Sequence, residues 1–180
     1  MKNKILSSVL SMTILFACSN DTNDKELDKK QIMIAQIDSL HKQMFNHQSM
    51  EVDKNLASKE ITAYQDFVNK YPDDSLSAEY LFRASDLSKA VGDNLKAIES
   101  LKQICENYPA YKKIPECLFL QGYYYQEFFD DTILAKEFYN RLISKYPTHA
   151  FVDDAQALMN MFGKSEQDII KEFEKKEQGR

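Results

Sequence analysis

The chain has 180 residues, of which 43% are hydrophobic, so it can bury the core of one folded domain and is not disordered along its whole length. Its formal net charge of −5 argues against a nucleic-acid-binding protein, because phosphate contacts need a basic surface. Glycine and proline number four each, which favours helices over a turn-rich all-β fold.

Residues 1–17 have the organisation of a targeting signal. Lys2 and Lys4 form a basic start, and the apolar run that follows ends at Ala17. That run has 13 residues, too few for a relaxed membrane-spanning helix. With Leu15 and Ala17 preceding Cys18, the segment resembles the lipobox of bacterial lipoproteins. An ordinary secreted protein with a chance cysteine is the alternative.

The lipobox resemblance implies a covalent lipid on Cys18 and no other cofactor. The chain would be cleaved before Cys18, with diacylglyceryl on the thiol and an acyl chain on the new amine. Several acyl chains give a stable anchor, because each buried methylene contributes about 0.8 kcal/mol. Ser19 is not the Asp that favours inner-membrane retention. The resemblance therefore implies the bacterial outer membrane, with the periplasmic face favoured over the cell surface.

The segment after the lipobox is polar and highly charged. Residues 18–28 lack an apolar period and are predicted to form a flexible tether, so that the folded domain covers 29–180. Apolar residues at helical spacing predict a helix over 27–47 that pairs with a second helix over 51–70. A short coiled coil is the alternative for the first of these helices.

A Tyr-Pro pair recurs three times along the chain, at spacings of 37 and 38 residues. Proline lacks a backbone N–H and disfavours helix in the preceding residue, so each pair is expected to end a helix. When the pairs are aligned, three apolar columns at helical spacing precede them. The pairs begin at Tyr71, Tyr108 and Tyr146, and the columns are Tyr64/Leu101/Tyr139, Phe67/Ile104/Leu142 and Val68/Cys105/Ile143.

Each interval between Tyr-Pro pairs has room for two helices. The predicted helices cover 75–91, 94–108, 114–129 and 132–146. Ala97 and Ala135 share a small-residue column that holds Glu60 in the first copy. Ala84 and Gly122 lie 13 residues before these alanines, and such small residues would let the two helices of a pair cross closely.

Two further helices are predicted after the third Tyr-Pro pair. Residues 149–163 continue the pattern and end at Gly163. Residues 165–176 open with Ser165 and Asp168, a weaker form of the capping box. A terminal repeat needs a cover, and this helix offers apolar side chains for it. They are Ile169, Ile170 and Phe173.

The alanine, aromatic and proline spacings resemble tetratricopeptide repeats. Ala97 and Ala135 are each followed four residues later by a large side chain and 12 residues later by a proline, although the period exceeds 34 and the family's Trp is missing. The resemblance implies an all-α, right-handed superhelix of about four antiparallel helix pairs. It extends to envelope lipoproteins such as the lipoprotein subunit of the outer-membrane β-barrel assembly machine, and to a periplasmic protein that coordinates constriction with wall synthesis.

In tetratricopeptide proteins the first helices line a concave groove, which implies where partners would bind. On the helix 114–129 we assign one face to the core, and a helix that is apolar all round because it is packed on several sides is the alternative. The core face has Leu118, Gly122, Tyr125 and Phe129. The predicted groove residues are Phe82, Asp86 and Lys89 on one first helix and Leu120, Tyr124 and Glu127 on the next.

The sequence contains no catalytic motif and no metal-ligand spacing. The three histidines are scattered, and there is no glycine-rich phosphate loop. Three Asp pairs lie at predicted turns or in first helical turns, where carboxylates cap helices, so we interpret them as caps. They are Asp73-Asp74, Asp130-Asp131 and Asp153-Asp154.

Cys105 and Cys117 fall near the end of one predicted helix and the start of the next. Because these helices run antiparallel, a disulfide between them is geometrically possible in an oxidising compartment. Alternatively, both serve as compact apolar fillers, since Cys105 occupies the same column as Val68 and Ile143. The sequence leaves both interpretations open.

These features predict a membrane-anchored scaffold that binds protein or peptide partners in the bacterial envelope, in outer-membrane or cell-wall assembly. They predict neither an enzyme nor a nucleic-acid partner. The alternative is a small-ligand or solute carrier, or an accessory subunit of an envelope enzyme.

Overall fold

The computed structural model describes residues 20–46 and 52–178, and within these ranges the chain is all-α. The predicted signal segment and Cys18 lie outside the described residues. No helix in the described ranges has both the length and the apolar character needed to cross a membrane. The helices are α1 (Asn20–Asn46), α2 (Lys54–Lys70), α3 (Ser77–Ala90), α4 (Asn94–Asn107), α5 (Ile114–Phe129), α6 (Thr132–Lys145), α7 (Phe151–Met161) and α8 (Glu166–Gln178).

From α1 to α7 each helix packs against the next, and α5 also contacts α7. This is a solenoid of consecutive helix pairs, in which α1, α3, α5 and α7 are the first helices. Two of the predicted apolar columns are buried in every repeat, which places the core between the helices of each pair and the next. The buried columns are Tyr64/Leu101/Tyr139 and Phe67/Ile104/Leu142.

Each Tyr-Pro pair ends a second helix with the same backbone geometry, as predicted. The tyrosine N–H closes the last helical hydrogen bond, and the proline, which has no N–H, follows outside the helix. The third residue after each tyrosine then donates its N–H to the tyrosine carbonyl oxygen. These bonds run from Asp74 to Tyr71 (3.0 Å), from Tyr111 to Tyr108 (2.9 Å) and from His149 to Tyr146 (3.0 Å). We call these segments the Tyr-Pro turns.

Aspartates cap the second helices of the pairs. Asp53, Asp93 and Asp131 precede α2, α4 and α6, and the side chain of each accepts a hydrogen bond from a backbone N–H in the first turn. Asp130 follows α5 in the left-handed conformation, with φ of 51°. After α3, a glycine takes this role, since Gly92 has φ of 86°. Asp131 thus caps α6 as predicted, whereas Asp130 lies at the C-terminal end of α5.

The small residue predicted in α5 lets the helices of a pair cross closely. A Cβ atom on Gly122 would lie 2.6 Å from Cε1 of Tyr139 in α6. The Tyr139 ring is fully buried and also packs on Phe119 and Phe162. Gly122 therefore provides the space that the Tyr139 ring occupies.

The backbone differs from the predicted flexible tether over 18–28, because α1 already begins at Asn20. Side-chain contacts with the first Tyr-Pro turn explain the difference. The Tyr71 hydroxyl donates to Glu26 at 2.7 Å, and Lys30 pairs with Asp74 at 2.9 Å. Lysine and glutamate also have good helix propensity, so a charged run with no apolar period can still be helical.

Of the three side chains predicted to cover the last repeat from the final helix, only Ile170 lies among the described residues. Ser165 and Asp168 do form a reciprocal cap, in which the Asp168 N–H donates to Ser165 Oγ at 3.2 Å. However, α8 packs closely against no other described helix, and the Ile170 side chain is 55% exposed. The side chains of Ile169 and Phe173 lie outside the described part of the chain. A local cap is sufficient to start a helix but does not dock it.

Candidate functional site

The Tyr-Pro turns join successive repeats through a polar contact that occurs three times. In each Tyr-Pro turn, the side chain of the third residue after the tyrosine contacts a charged side chain on the preceding first helix. The charged residue lies near the start of α3 and α5 and in the first half of α1. The types of the contacting residues differ among the three turns, but their positions in the repeat are equivalent. The pairs are Asp74 with Lys30 (2.9 Å), Tyr111 with Glu79 (2.6 Å) and His149 with Glu116 (3.8 Å).

We call these three contacts between a Tyr-Pro turn and the preceding first helix the joints. At two of the joints, a second contact involves an aromatic ring. Lys113, five residues after Tyr108, places its Nζ 4.3 Å from the centroid of the Phe82 ring. Phe151, five residues after Tyr146, stacks on Phe119 with centroids 4.6 Å apart. Phe82 and Phe119 are therefore equivalent positions, separated by 37 residues.

This equivalence corrects the predicted groove residues on α5. When the two repeats are aligned on Ala97 and Ala135, Asp86 corresponds to Tyr124. When they are aligned on the joints, Asp86 corresponds to Tyr123. Tyr124 is only 3% exposed, and its hydroxyl lies beside Ser85 of α3, so it is a core residue. The physical reason is that α5 has more residues after the joint than α3, and these extend its C-terminal end.

The predicted core face of α5 is buried only in part. Leu118 and Gly122 are buried as predicted, but Phe129 is 41% exposed and Tyr125 is partly buried against the Phe138 ring. Leu120 is partly buried, where α3 has the exposed Arg83. The helix is thus packed on several sides, which was the alternative interpretation.

The accessible face of the first helices forms the candidate partner site, which we call the groove. Phe82 lies at its edge, partly buried beneath Lys113, and the predicted residues Asp86, Lys89 and Glu127 are exposed. Partly buried Tyr123 and Gln126 complete it on α5. The groove thus consists of Asp86 and Lys89 on α3 and of Tyr123, Gln126 and Glu127 on α5.

The electrostatics of the groove are mixed. The Asp86 side chain is exposed, but neighbouring protein atoms remove part of the water around its carboxyl, and this desolvation raises its pKa above the ordinary value. Lys113 and Lys89 oppose the rise, and Glu79 adds to it. The groove therefore combines a carboxylate on α3 with the field of two lysines. Such a surface offers both hydrogen-bond donors and acceptors to a polar segment of a partner.

A cleft of about 820 Å³ lies between the first two Tyr-Pro turns and was not predicted. It meets the edge of the groove at Glu79, Tyr111 and Lys113. A second cleft of about 610 Å³ lies between α1 and the first Tyr-Pro turn. The sequence signal for both was the repeat of the turns themselves, which we interpreted as purely structural.

A buried carboxylate replaces the small residue in the first repeat. Glu60 is 1% exposed in the column of Ala97 and Ala135. Its Oε1 accepts hydrogen bonds from the Tyr64 hydroxyl at 2.5 Å and pairs with His41 Nδ1 at 3.0 Å. Burial and the carboxylate raise the pKa of Tyr64, so its hydroxyl stays protonated. We assign this group to joining α1 and α2.

The Glu79 joint predicts a specific acid sensitivity. Burial alone would raise the pKa of Glu79, but hydrogen bonds from Tyr111 and Lys113 outweigh it and the pKa lies below its ordinary value. This stabilisation is therefore present above about pH 4.5 and is lost as the pH falls through the lowered pKa. Glu79→Gln should cost about 0.5–1 kcal/mol at pH 6, and this cost should shrink as the pH falls through the lowered pKa.

Urea unfolding of both proteins between pH 3 and pH 6 measures this difference. Glu106→Gln is the matched control, because its carboxylate is exposed and pairs with Lys102 at 3.8 Å within α4. A Glu79→Gln deficit that is the same at every pH would contradict the assignment.

No described part of the chain holds three or more His, Cys, Asp or Glu side chains arranged to bind a metal ion. Within two of the aspartate pairs, one side chain is bound by the protein itself: Asp131 caps α6, and Asp74 lies in the first Tyr-Pro turn. Asp74 accepts a hydrogen bond from the Leu76 N–H at 2.9 Å and pairs with Lys30.

Comparison with known families agrees with this geometry. A tetratricopeptide-repeat family model matches residues 116–149, a span that runs from one member of the third joint, Glu116, to the other, His149. The domain is a tetratricopeptide-like solenoid. No curated protein matches the chain at a significant level. In this tetratricopeptide-like domain the matched repeat comprises most of α5, all of α6 and the third Tyr-Pro turn.

Proposed function

We propose that the protein is a lipid-anchored, tetratricopeptide-like scaffold that binds protein or peptide partners in the bacterial envelope, in outer-membrane or cell-wall assembly. It would act by binding, without catalysis and without a cofactor other than the lipid on Cys18. The observation that carries the binding role is the groove, in which exposed Asp86 and Lys89 on α3 have accessible Tyr123 and Gln126 at the equivalent positions of α5.

The groove is suited to an extended or helical segment of a partner for two physical reasons. Its first helices are fixed to the next repeat by the joints, so the groove side chains are held in place before binding. Tyr123 adds apolar area together with a hydroxyl group, a combination enriched where proteins bind each other. The lipobox resemblance supports the envelope location.

Site-specific photo-crosslinking in cells tests this proposal. A photoreactive amino acid is placed in the full chain at Asp86 or Tyr123, and at Glu99 or Glu137 as matched controls. Both controls are exposed, but they lie on the second helices α4 and α6. We expect discrete crosslinked proteins from the first two positions and little from the controls. Equal crosslinking at all four positions would reject the groove as the partner site.

The alternative is a carrier of small ligands, and the cleft of about 820 Å³ is the observation that favours it. Native mass spectrometry of the purified chain distinguishes the two functions. A bound small molecule, together with no crosslinked protein from the groove, would support the carrier.

A further inference from the structure

The first helix of the solenoid buries few of its side chains. Of residues 25–44 in α1, whose side chains the structure describes, Ile37 alone is buried, at 1% exposed. The shorter helix α2 has seven buried residues. Among the described helices α1 packs closely against α2 alone, whereas α3 lies against both α2 and α4. Separation of α1 would therefore leave the contacts between the other helices intact.

A buried carboxylate weakens the contact between α1 and α2. Glu60 joins the two helices through Oε1, which contacts the Tyr64 hydroxyl and His41 of α1. Oε2 is buried as well, but no residue in the described part of the chain forms a hydrogen bond with it. Burial of a carboxylate oxygen without a donor costs free energy, because the oxygen loses the water that would otherwise bind it.

The contacts at the start of α1 add little to this attachment. Lys30 pairs with Asp74 at 2.9 Å, and the Tyr71 hydroxyl donates to Glu26 at 2.7 Å. Both contacts are at least partly accessible to solvent, where water and salt compete with the protein partner. They therefore position α1 without fixing it strongly.

We propose that α1 is a releasable helix, which separates from α2 as one unit while α2–α7 stay folded. Parts of a protein that open in this way have few buried apolar contacts, as α1 does. The Glu60 carboxylate favours the release, because water reaches Oε2 when His41 moves away with α1. Alanine occupies the position of Glu60 in the second and third pairs, which have no such cost.

Release would change the reach of the scaffold from the membrane. With 27 residues, α1 adds up to about 40 Å of helix between an anchor at Cys18 and the start of α2. The groove could then meet partners at a greater distance from the membrane surface. This consequence rests on the lipid anchor of the proposed function, whereas the release itself does not.

Hydrogen exchange followed by mass spectrometry tests the release. The full chain with Cys18→Ala is used in detergent, so that the outcome does not depend on lipid attachment. We expect peptides from 25–46 to be protected relative to an unstructured chain. They should nevertheless exchange through an opening at least about tenfold more frequent than the opening of α4 and α5, with the same frequency at both ends of α1.

Three results would overturn the proposal. If α1 exchanges as slowly as α4 and α5, it opens only when the whole domain unfolds. If α1 has no protection, it is not docked in the first place. A frequency that rises steadily towards one end of α1 would mean that the helix frays and does not separate as a unit.

Two variants test the role of Glu60. Tyr64→Phe removes one of the two partners of Oε1 and should make the opening of α1 several-fold more frequent. Glu60→Met combined with Tyr64→Phe removes the carboxylate and the hydroxyl together at similar volume, so the opening should become several-fold rarer. Tyr111→Phe is the matched control, because its hydroxyl bonds to Glu79 in the second joint and should not affect α1.

The opposite results would exclude Glu60 as a cause of the release. They are an unchanged opening of α1 in Tyr64→Phe, or a more frequent opening in the folded double variant. Because Tyr64→Phe removes a single hydroxyl group, it decides the point even where the double variant fails to fold.

Discussion

Gly122→Ala is expected to destabilise the protein, although alanine is a better helix former than glycine. Alanine in a free helical position would gain about 1 kcal/mol. Here its Cβ would lie 2.6 Å from Cε1 of the fully buried Tyr139 ring, so the ring or the helices must move. Overpacking of this kind costs about 1–3 kcal/mol. We expect a net loss of about 1–2 kcal/mol for Gly122→Ala and a larger loss for Gly122→Leu.

Thermal and urea unfolding measure this effect, with Glu127→Ala as the control on the same helix. Glu127 is exposed, so its replacement should change the free energy of unfolding by less than about 0.5 kcal/mol. If Gly122→Ala instead raised the melting temperature, α5 and α6 would not cross as closely as the structure places them.

Cys18→Ala is expected to abolish lipid attachment. Diacylglyceryl transfer needs the thiol as its acceptor, and alanine offers no nucleophile. The variant should lose essentially all incorporation of labelled palmitate. Its mass should still include residues 1–17, because cleavage of this kind of signal follows lipid transfer in the lipoproteins it resembles.

Cys105→Ser is the matched control for palmitate labelling. It also removes one thiol, but at a position in α4, and its labelling should equal that of the unaltered chain. Unchanged labelling of Cys18→Ala would reject the lipid anchor while leaving the tetratricopeptide-like fold unaffected.

Local signals predicted most of the fold. The Tyr-Pro turns end their helices through proline chemistry that acts within a few residues, and α5 covers the predicted range 114–129. The buried columns followed from helical periodicity, since residues three and four apart share a face. The start of α1 was missed because its contacts with Tyr71 and Asp74 are distant in sequence.

The exposure of the predicted groove residues agrees with the structure on α3 but is displaced by one residue on α5. Asp86 and Lys89 are exposed as predicted, whereas Tyr124 is buried and Tyr123 takes the equivalent place. Sequence spacing could not show at which end α5 is extended relative to α3. The contacts of Glu116 and Phe119 with the third Tyr-Pro turn decide it.

The sequence by itself determined the all-α class, the succession of antiparallel helices and the positions of the Tyr-Pro turns. These depend on backbone chemistry and periodicity, which are local. The tertiary structure alone decided the joints and the burial of Glu60 with its bond to Tyr64. Each depends on which side chains face each other between neighbouring helices. Successive residues of a helix point in directions about 100° apart, so an alignment error of one position changes which side chain faces the neighbour.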